Sequence, residues 1–479
     1  MWCTCGVFPA HCQDVVLLSA LPFTRLPDSR LLVLLLHWPD FGKHNYHDGE
    51  LYSLNQAMLH SPLRPNHSFT TQHKLSIALS MSLRILHVIQ SANPVGGGPI
   101  EGIRQKAASH KTLGDTLQIA CLDPPGAPYL AFPEVPVEPL RRSWIDHFFP
   151  LSLLRWVRAH HHHYDAVVVN GIWDFHLLAT YLAVRGTATP FLVFPHGMLD
   201  PWFRRRYPLK HLKKWLFWPW AMYWPLRQAD AVCFTCDQER LLARQSFWLY
   251  DCHEVVVNYG TKGIPDPHYD YATPFLKAQP AIAGRQRLLF LGRVAPKKGP
   301  DLLLHAIAAL QAEGLWDPAT MVLVLAGPAS GSYATKLVRL AERLCITSSL
   351  HWTGMLQGDQ KWGAFQSADA FVLPSHQENF GIAVAEALSC SIPVLLTHPV
   401  NIAADIATAG AGFVEHDTIP GITTLLRRWL ALDPAARAAM ATEARRCFLE
   451  RYEISNAALS VNSTIRAAIH QRQLAQTSR

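Results

Sequence analysis

A chain of 479 residues is too long to fold around one ordinary hydrophobic core, so two or three domains are expected. Hydrophobic residues make up 49% and charged residues 16%, a balance that excludes extended disorder. The formal net charge of +7 is local: Pro201 to Gln228 holds seven Arg or Lys and no Asp or Glu. Charges nearly balance elsewhere, which argues against a nucleic-acid binder.

Residues 1–80 carry weak periodicity, with Cys3, Cys5 and Cys12 close together among scattered Pro, His and Trp. At Met81-Ser-Leu-Arg-Ile-Leu-His-Val-Ile-Gln90 a buried strand begins abruptly, as at the opening of a parallel α/β domain. Met81 is therefore expected to be the native start, with 1–80 an upstream artefact or an atypical extension. A small accessory region packed on the first domain is the alternative.

From Leu83 onward, short β-rich runs alternate with helical stretches. Ala166–Asn170, Phe191–Phe194 and Ala229–Phe234 read as buried strands, and Phe175–Val184 as a helix. Asn258 to Gly284 is rich in Gly, Pro and Tyr and reads as an interdomain connection. A second series follows, with strands at Leu288–Gly292, Met321–Gly327, Leu350–Gly354, Ala370–Pro374, Pro393–Leu396 and Gly412–Glu415. Helices are predicted over Asp301–Gln311, Tyr333–Leu344, Ile382–Ser389 and about Pro434 to Leu474. Such alternation implies parallel sheets covered on both faces, with any ligand at the strand ends between two doubly wound halves.

Ten cysteines are scattered, and Cys233/Cys236 form the only CxxC pair. No second pair or nearby His pair completes a zinc site, so these thiols are expected to be apolar filler in a reducing compartment. The His160–His163 run reads as a solvated loop or helix end. No apolar run reaches the roughly 18 residues that span a bilayer, and no signal peptide is evident. A cytoplasmic protein, peripheral on the inner face of the membrane at most, is expected.

Three stretches carry chemistry. Gly292-Arg-Val-Ala-Pro-Lys-Lys-Gly299 lies between a strand and a helix, where backbone N–H groups and the side chains of Arg293 and Lys298 suit a diphosphate. Alone, it could equally be a solvated basic turn. Ser375-His-Gln-Glu378-Asn-Phe-Gly381 follows a strand and leads into the helix that carries Glu386. Two carboxylates about two turns apart could grip hydroxyls on two sugar rings. Glu386 lies among Ala383, Val384, Ala385, Ala387 and Leu388, an apolar setting for a carboxylate without a partner. In the third stretch, from Pro201, Leu209, Leu212, Trp215 and Leu216 recur at helical spacing among Lys210, Lys213 and Lys214. That pattern suits an anionic membrane surface or a phosphate-bearing acceptor, or else a core helix with a solvated basic side.

The Gly-Arg-x4-Lys-Gly stretch and the Glu-x7-Glu pair, about eighty residues apart, resemble those of retaining glycosyltransferases of the GT-B fold, family 4, the glycosyl transferases group 1. The resemblance covers residue 83 to about 470. It implies an α/β fold of two Rossmann-like domains with a cleft between them and a C-terminal helical segment. The divisions would be 81–270 for the acceptor-side domain, 271–445 for the nucleotide-sugar domain and 446–479 for the last helix and tail.

By this resemblance Arg293 and Lys298 contact the donor diphosphate and Glu378 faces the transferred sugar. Backbone groups of Asn379, Phe380 and Gly381 lie near sugar and phosphates, Glu386 binds the ribose, and Gly97 and Gly98 form the glycine loop after the first strand. His196, in Phe194-Pro-His-Gly-Met198, matches the family's His-Gly position beside the donor sugar. Asn170-Gly171 stands where relatives often carry His-Gly, and no role is assigned to it. Val257-Asn-Tyr-Gly-Thr261 departs from the family's Pro-Asn-Gly linker, which leaves the hinge geometry open.

The implied activity is hexosyl transfer from a nucleotide sugar to a glycan or lipid-linked acceptor with retention, as in bacterial polysaccharide or lipopolysaccharide assembly. The donor is a substrate, and no metal cofactor is expected, because the basic pair and a helix dipole neutralise the leaving group. The competing readings are another nucleotide-sugar enzyme such as an epimerase, and a non-catalytic sugar-binding or membrane-associated protein of the same fold.

Overall fold

The structure, a computed structural model, describes residues 82–94, 97–141, 144–329 and 331–477. The expectations for 1–80 and for a start at Met81 lie outside these residues. Two parallel sheets organise the rest. The first contains β1 (Arg84–Ile89), β2 (Thr116–Cys121), β3 (Val137–Pro139), β4 (Ala166–Asn170), β5 (Phe191–Phe194), β6 (Ala231–Phe234) and β7 (Glu254–Val256). Its spatial order is β3-β2-β1-β4-β5-β6-β7. The second contains β8 (Gln286–Leu291), β9 (Met321–Ala326), β10 (Leu350–Gly354), β11 (Ala370–Leu373), β12 (Val394–Thr397) and β13 (Gly412–Glu415), in the order β10-β9-β8-β11-β12-β13.

The central strands are apolar on both faces because helices cover both: Val167, Val168 and Val169 in β4 are all fully buried. Among the helices are α1 (Gly98–Thr112), α2 (His176–Val184), α3 (Pro208–Phe217), α4 (Asp237–Ala243), α5 (Ala272–Ala278) and α6 (Pro300–Ala312). They continue with α7 (Gly358–Ser367), α8 (Ile382–Ser389), α9 (Ile419–Leu430), α10 (Pro434–Cys447) and α11 (Ile454–Thr477). The two-domain α/β architecture expected from the sequence is what folds.

Three sequence readings need correction. The connection does not run to Gly284, because α5 packs on α7 with Phe275 fully buried. A Cβ on Gly363 would meet the Tyr271 carbonyl at 2.4 Å, so the missing side chain permits this close approach. The predicted C-terminal helix is also two helices, separated by a π-turn over Phe448–Tyr452. There the chain crosses back: Thr261 N–H donates to the Tyr452 carbonyl at 3.0 Å, so the outgoing and returning crossings run side by side. α11 then packs on α1 of the first domain, burying Val461 and Ile465 against β1 and β2 residues. Asn462 donates to Asp115 at 2.5 Å, and Arg472 pairs with Asp230 at 2.7 Å.

The third correction concerns α3. None of its ten residues is buried, so the core-helix alternative fails. Leu209, Leu212 and Leu216 are 83%, 57% and 64% exposed, and the apolar stripe faces outward. The helix is held by its other side, where His211 stacks on Phe247 and Lys214 lies over Trp173. Among the described residues, no helix is long and apolar enough to cross a membrane.

Candidate active site

Strand order reverses between β1 and β4 in one sheet and between β8 and β11 in the other. Loops diverge at such switch points and leave a crevice at the carboxyl ends of the strands. One cavity of about 480 Å³ is lined by loops from both sheets. Gly97, Gly98 and His196 reach it from the first domain. Arg293, Lys298, Glu378, Asn379, Phe380 and Gly381 reach it from the second. Nine of the ten residues singled out in the sequence thus converge, although some are nearly 300 positions apart.

Glu386 is the exception. It lies about one turn into α8, outside the lining and buried, with Lys361 donating to its Oε1 at 2.8 Å. Burial pushes its carboxyl above the usual value, and the Lys361 charge opposes that rise. The partner that its apolar neighbours demanded is therefore Lys361, on α7.

Two helix N-termini open at the cavity, α1 at Gly97-Gly98 and α8 at Gly381-Ile382, and their free N–H groups add positive potential. Gly97 has φ +84°, which favours glycine, while a Cβ there would meet nothing within 4 Å. Conformation, not crowding, requires glycine at 97.

Lys298 and Glu378 are in direct contact across the two loops. Burial, with Lys297 and Arg293 alongside, pulls the Lys298 ammonium down to about 7. Lys297 also lines the cavity, a third cation passed over in the sequence although it adjoins Lys298. The Glu378 loop is pinned at its backbone: its N–H donates to Pro399 O, and its carbonyl accepts from Asn401 N, both at 3.0 Å. A loop held this way presents its carboxylate without large rearrangement.

His196 sits at φ +51°, in the left-handed region, immediately before Gly197 at φ +74°. Strained turns of this kind persist only where their surroundings fix them. Glu239 supplies the fixing, since its Oε1 accepts from Gly197 N at 2.5 Å. Its other oxygen accepts from Thr235 N and Oγ1, both at 2.7 Å. Asn170, to which no role was assigned, places its Oδ1 3.1 Å from His196 Nε2. Burial, then the charge of Lys106, pulls the His196 imidazole down to about 3, so the ring is neutral at ordinary pH. Neither Asn170 nor Glu239 carries a sequence signal beyond lying at a strand end or the start of a helix.

The halves meet directly. Asn379 Nδ2 donates to Thr235 Oγ1 at 3.2 Å, and Gln377 Nε2 to Asp200 Oδ2 at 2.9 Å. Tyr259, in the unusual linker, donates to the Gly98 carbonyl at 3.2 Å and packs edge-on against Phe380. That tyrosine ties the hinge to both glycine-led helix starts.

Cys233 and Cys236 are buried, and burial pushes both thiols up to about 12. Cys236 Sγ accepts from Glu239 N and so caps α4. His161–His163 form a short 3-10 turn at a helix end.

Comparison with known proteins agrees with this geometry. Residues 97–260 match the family described as glycosyl transferase 4-like domain, and 273–446 match glycosyl transferases group 1. The chain is 32% identical over 240 residues to a D-inositol 3-phosphate glycosyltransferase of Kineococcus radiotolerans, covering 46% of this chain and 53% of that protein. It is 28% identical over 320 residues to the protein of that name in Streptomyces avermitilis, covering 56% and 68%. The chain thus spans about half the length of the first of these relatives. Among solved structures, sucrose-phosphate synthase from Thermosynechococcus elongatus has a TM-score of 0.65 at 17% identity, covering 81% of this chain and 100% of that one. Anabaena Alr3699/HepE, in complex with UDP and glucose, has a TM-score of 0.62 at 18% identity, covering 80% and 100%. At such identities the structures speak for the fold alone.

Proposed function

Because the chain belongs to the group 1 glycosyltransferases, we propose that it moves a hexosyl group from a nucleoside-diphosphate sugar to a hydroxyl of a glycan or lipid-linked acceptor, with retention of anomeric configuration. The observation that carries this is the convergence in one cavity of three cations, two helix N-termini, one carboxylate and a neutral histidine. Cations and helix starts stabilise a diphosphate as it departs, while a carboxylate and a neutral imidazole hold sugar hydroxyls.

Arg293, Lys297 and Lys298 hold the diphosphate. Lys298 then exchanges Glu378 for phosphate oxygen, which frees the carboxylate for the sugar. His196, with Nε2–H directed at Asn170 Oδ1, offers Nδ1 as an acceptor. The bond from the anomeric carbon to phosphate oxygen breaks, and the bond to the acceptor oxygen forms on the same face. The acceptor proton passes to the departing phosphate, so no protein nucleophile is required. The same cations and helix starts carry the charge neutralisation that a divalent metal would otherwise supply. Glu386 lies outside the cavity lining, so its contact with ribose, through the carboxylate oxygen that Lys361 leaves free, is carried by the family resemblance alone.

Both matched families are transferases, which favours transfer over epimerisation. Thermal-shift screening with UDP, GDP, ADP and their sugars identifies the donor, since binding to the folded state raises apparent stability. Lys298→Ala and Glu378→Ala should then each abolish most turnover, and unchanged turnover in both would overturn the proposal. Anomeric coupling constants of the product report retention.

The outward apolar stripe of α3, alternating with Lys210 and Lys213, supports peripheral docking on an anionic membrane. Flotation with anionic vesicles at low salt tests this. Leu209→Glu/Leu212→Glu/Leu216→Glu should remain at the bottom of the gradient if the face docks.

A further inference from the structure

A second cavity, of about 590 Å³, lies on the first domain between α3 and the loop that follows β4. Four cations line it: Arg141 beyond β3, and Lys210, Lys213 and Lys214 of α3. Two carboxylates, Asp146 and Asp174, share the lining, so positive charge is in surplus. Asp146 is already engaged, accepting from Ser152 N at 2.9 Å and Ser152 Oγ at 2.8 Å.

The cavity floor is built rather than incidental. Asp174 and Phe175 adopt φ +71° and +57°, left-handed values that non-glycine residues avoid unless held there. Phe175 packs on Phe217 of α3, with ring centroids 5.7 Å apart. Trp173 lies beneath Lys214, whose Nζ is 4.2 Å from the ring centroid. The indole Nε1–H of Trp173 is buried, with no hydrogen-bond partner among the described residues.

This cavity also adjoins the donor cleft. Phe203 lines the first cavity, with Lys297 5.7 Å from its ring centroid. Lys214 of the second cavity lies 5.6 Å from the same centroid. Phe203 thus lies beside one cation of each site.

We propose that this second cavity binds the phosphoryl group of the acceptor, a phosphate or diphosphate ester whose hydroxyl reaches past Phe203 toward the donor sugar. The inference rests on the transferase reading of the cleft and names the class of acceptor that reading leaves open. Convergent lysine and arginine side chains recognise phosphoryl oxygens, and aromatic walls suit the sugar or lipid that carries them. Burial, and then Lys210, pull the Lys214 ammonium below its usual value against the opposing charge of Asp174, and a bound anion would relieve what remains of that cost. Phe148, largely exposed at the rim, and the apolar face of α3 would accommodate a lipid portion if the ester has one.

Lysine footprinting of the full chain tests the idea, with acetic anhydride labelling read by mass spectrometry. Inorganic pyrophosphate should slow labelling of Lys210, Lys213 and Lys214 about threefold or more. The protection should persist in Lys298→Ala, where the donor site is impaired, and weaken at Lys210 and Lys214 in Arg141→Ala/Lys213→Ala. Uridine diphosphate, in parallel, reads the donor site through Lys297 and Lys298. Loss of that second protection alone would count against the donor reading and leave this one standing. Protection by sn-glycerol 3-phosphate without vesicles supports a soluble ester. Protection by pyrophosphate that deepens when phosphatidylcholine–phosphatidic acid vesicles are added supports a lipid-borne one. If pyrophosphate leaves the three lysines unprotected both with and without vesicles, the phosphoryl site is overturned, and any protection by vesicles then reports membrane docking of α3 alone.

Discussion

Asn170 Oδ1 lies 3.1 Å from His196 Nε2, joining the end of β4 to the strained turn after β5. The Asn170 amide nitrogen faces the carbonyls of Val88 and Val168, at 3.4 and 3.3 Å, which sets the amide so that its oxygen meets the imidazole. His196 must then carry its proton on Nε2 and present Nδ1 as an acceptor. Asn170→Ala removes that constraint and should lower kcat about tenfold with little change in KM, because positioning is lost while donor contacts remain. Asn170→Asp should restore the geometry but raise the His196 pKa, so that an acidic limb appears in the pH–rate profile. Steady-state kinetics of the two variants across pH would check both outcomes.

Lys298 is drawn down to about 7, so its positive charge is lost as pH rises through neutrality. A diphosphate prefers the ammonium form. Stabilisation by uridine diphosphate, read as a thermal shift, should therefore diminish between pH 6 and 9. Lys298→Arg, whose guanidinium stays charged throughout, should hold its thermal shift nearly constant over that range.

Lys106 is 4% exposed on α1 and lies 5.3 Å from the ring centroids of both Phe194 and Tyr259. Burial lowers its pKa to about 8. Between pH 8 and its unfolded value the unfolded chain binds more protons, so this group makes stability rise with pH over that window. Below pH 8 the buried charge costs on the order of 3 kcal/mol. Lys106→Met should be more stable than the parent at pH 7, with an advantage that shrinks toward pH 10. Denaturant unfolding of both proteins at each pH measures the difference directly.

Gly197 combines φ +74° with a position where a Cβ would lie 2.8 Å from Asn379 of the opposite domain. Gly197→Ala should cost about 1–3 kcal/mol through backbone strain alone. It should also push the His196 turn away from the Glu378 loop. A fall of a few degrees in Tm with a disproportionate loss of turnover is expected, and calorimetry with kinetics would separate the two effects.

Much of the cleft was legible because its chemistry is local. Arg293 and Lys298 share one loop, and Glu378 through Gly381 share another, each between a recognisable strand and helix. Asn170 and Glu239 were not legible. Each acts on the His196 turn from a separate segment, and a buried hydrogen bond between remote segments leaves no periodic trace. The outward orientation of α3 was likewise hidden. Its spacing of leucines defines a face, yet which side meets the protein depends on His211 and Lys214 finding Phe247 and Trp173.

The sequence by itself determined the two-sheet architecture, since apolar runs covered on both faces and separated by helical stretches admit few other folds. It also located the loops able to hold a diphosphate. Only tertiary structure decided which groups tune those loops: the Lys361 partner of Glu386, the neutral state of His196, and the place of Phe203 beside a cation of each cavity. The physical reason is that strand and helix follow from the spacing of neighbouring side chains, whereas charge state and orientation depend on burial and on contacts between distant segments.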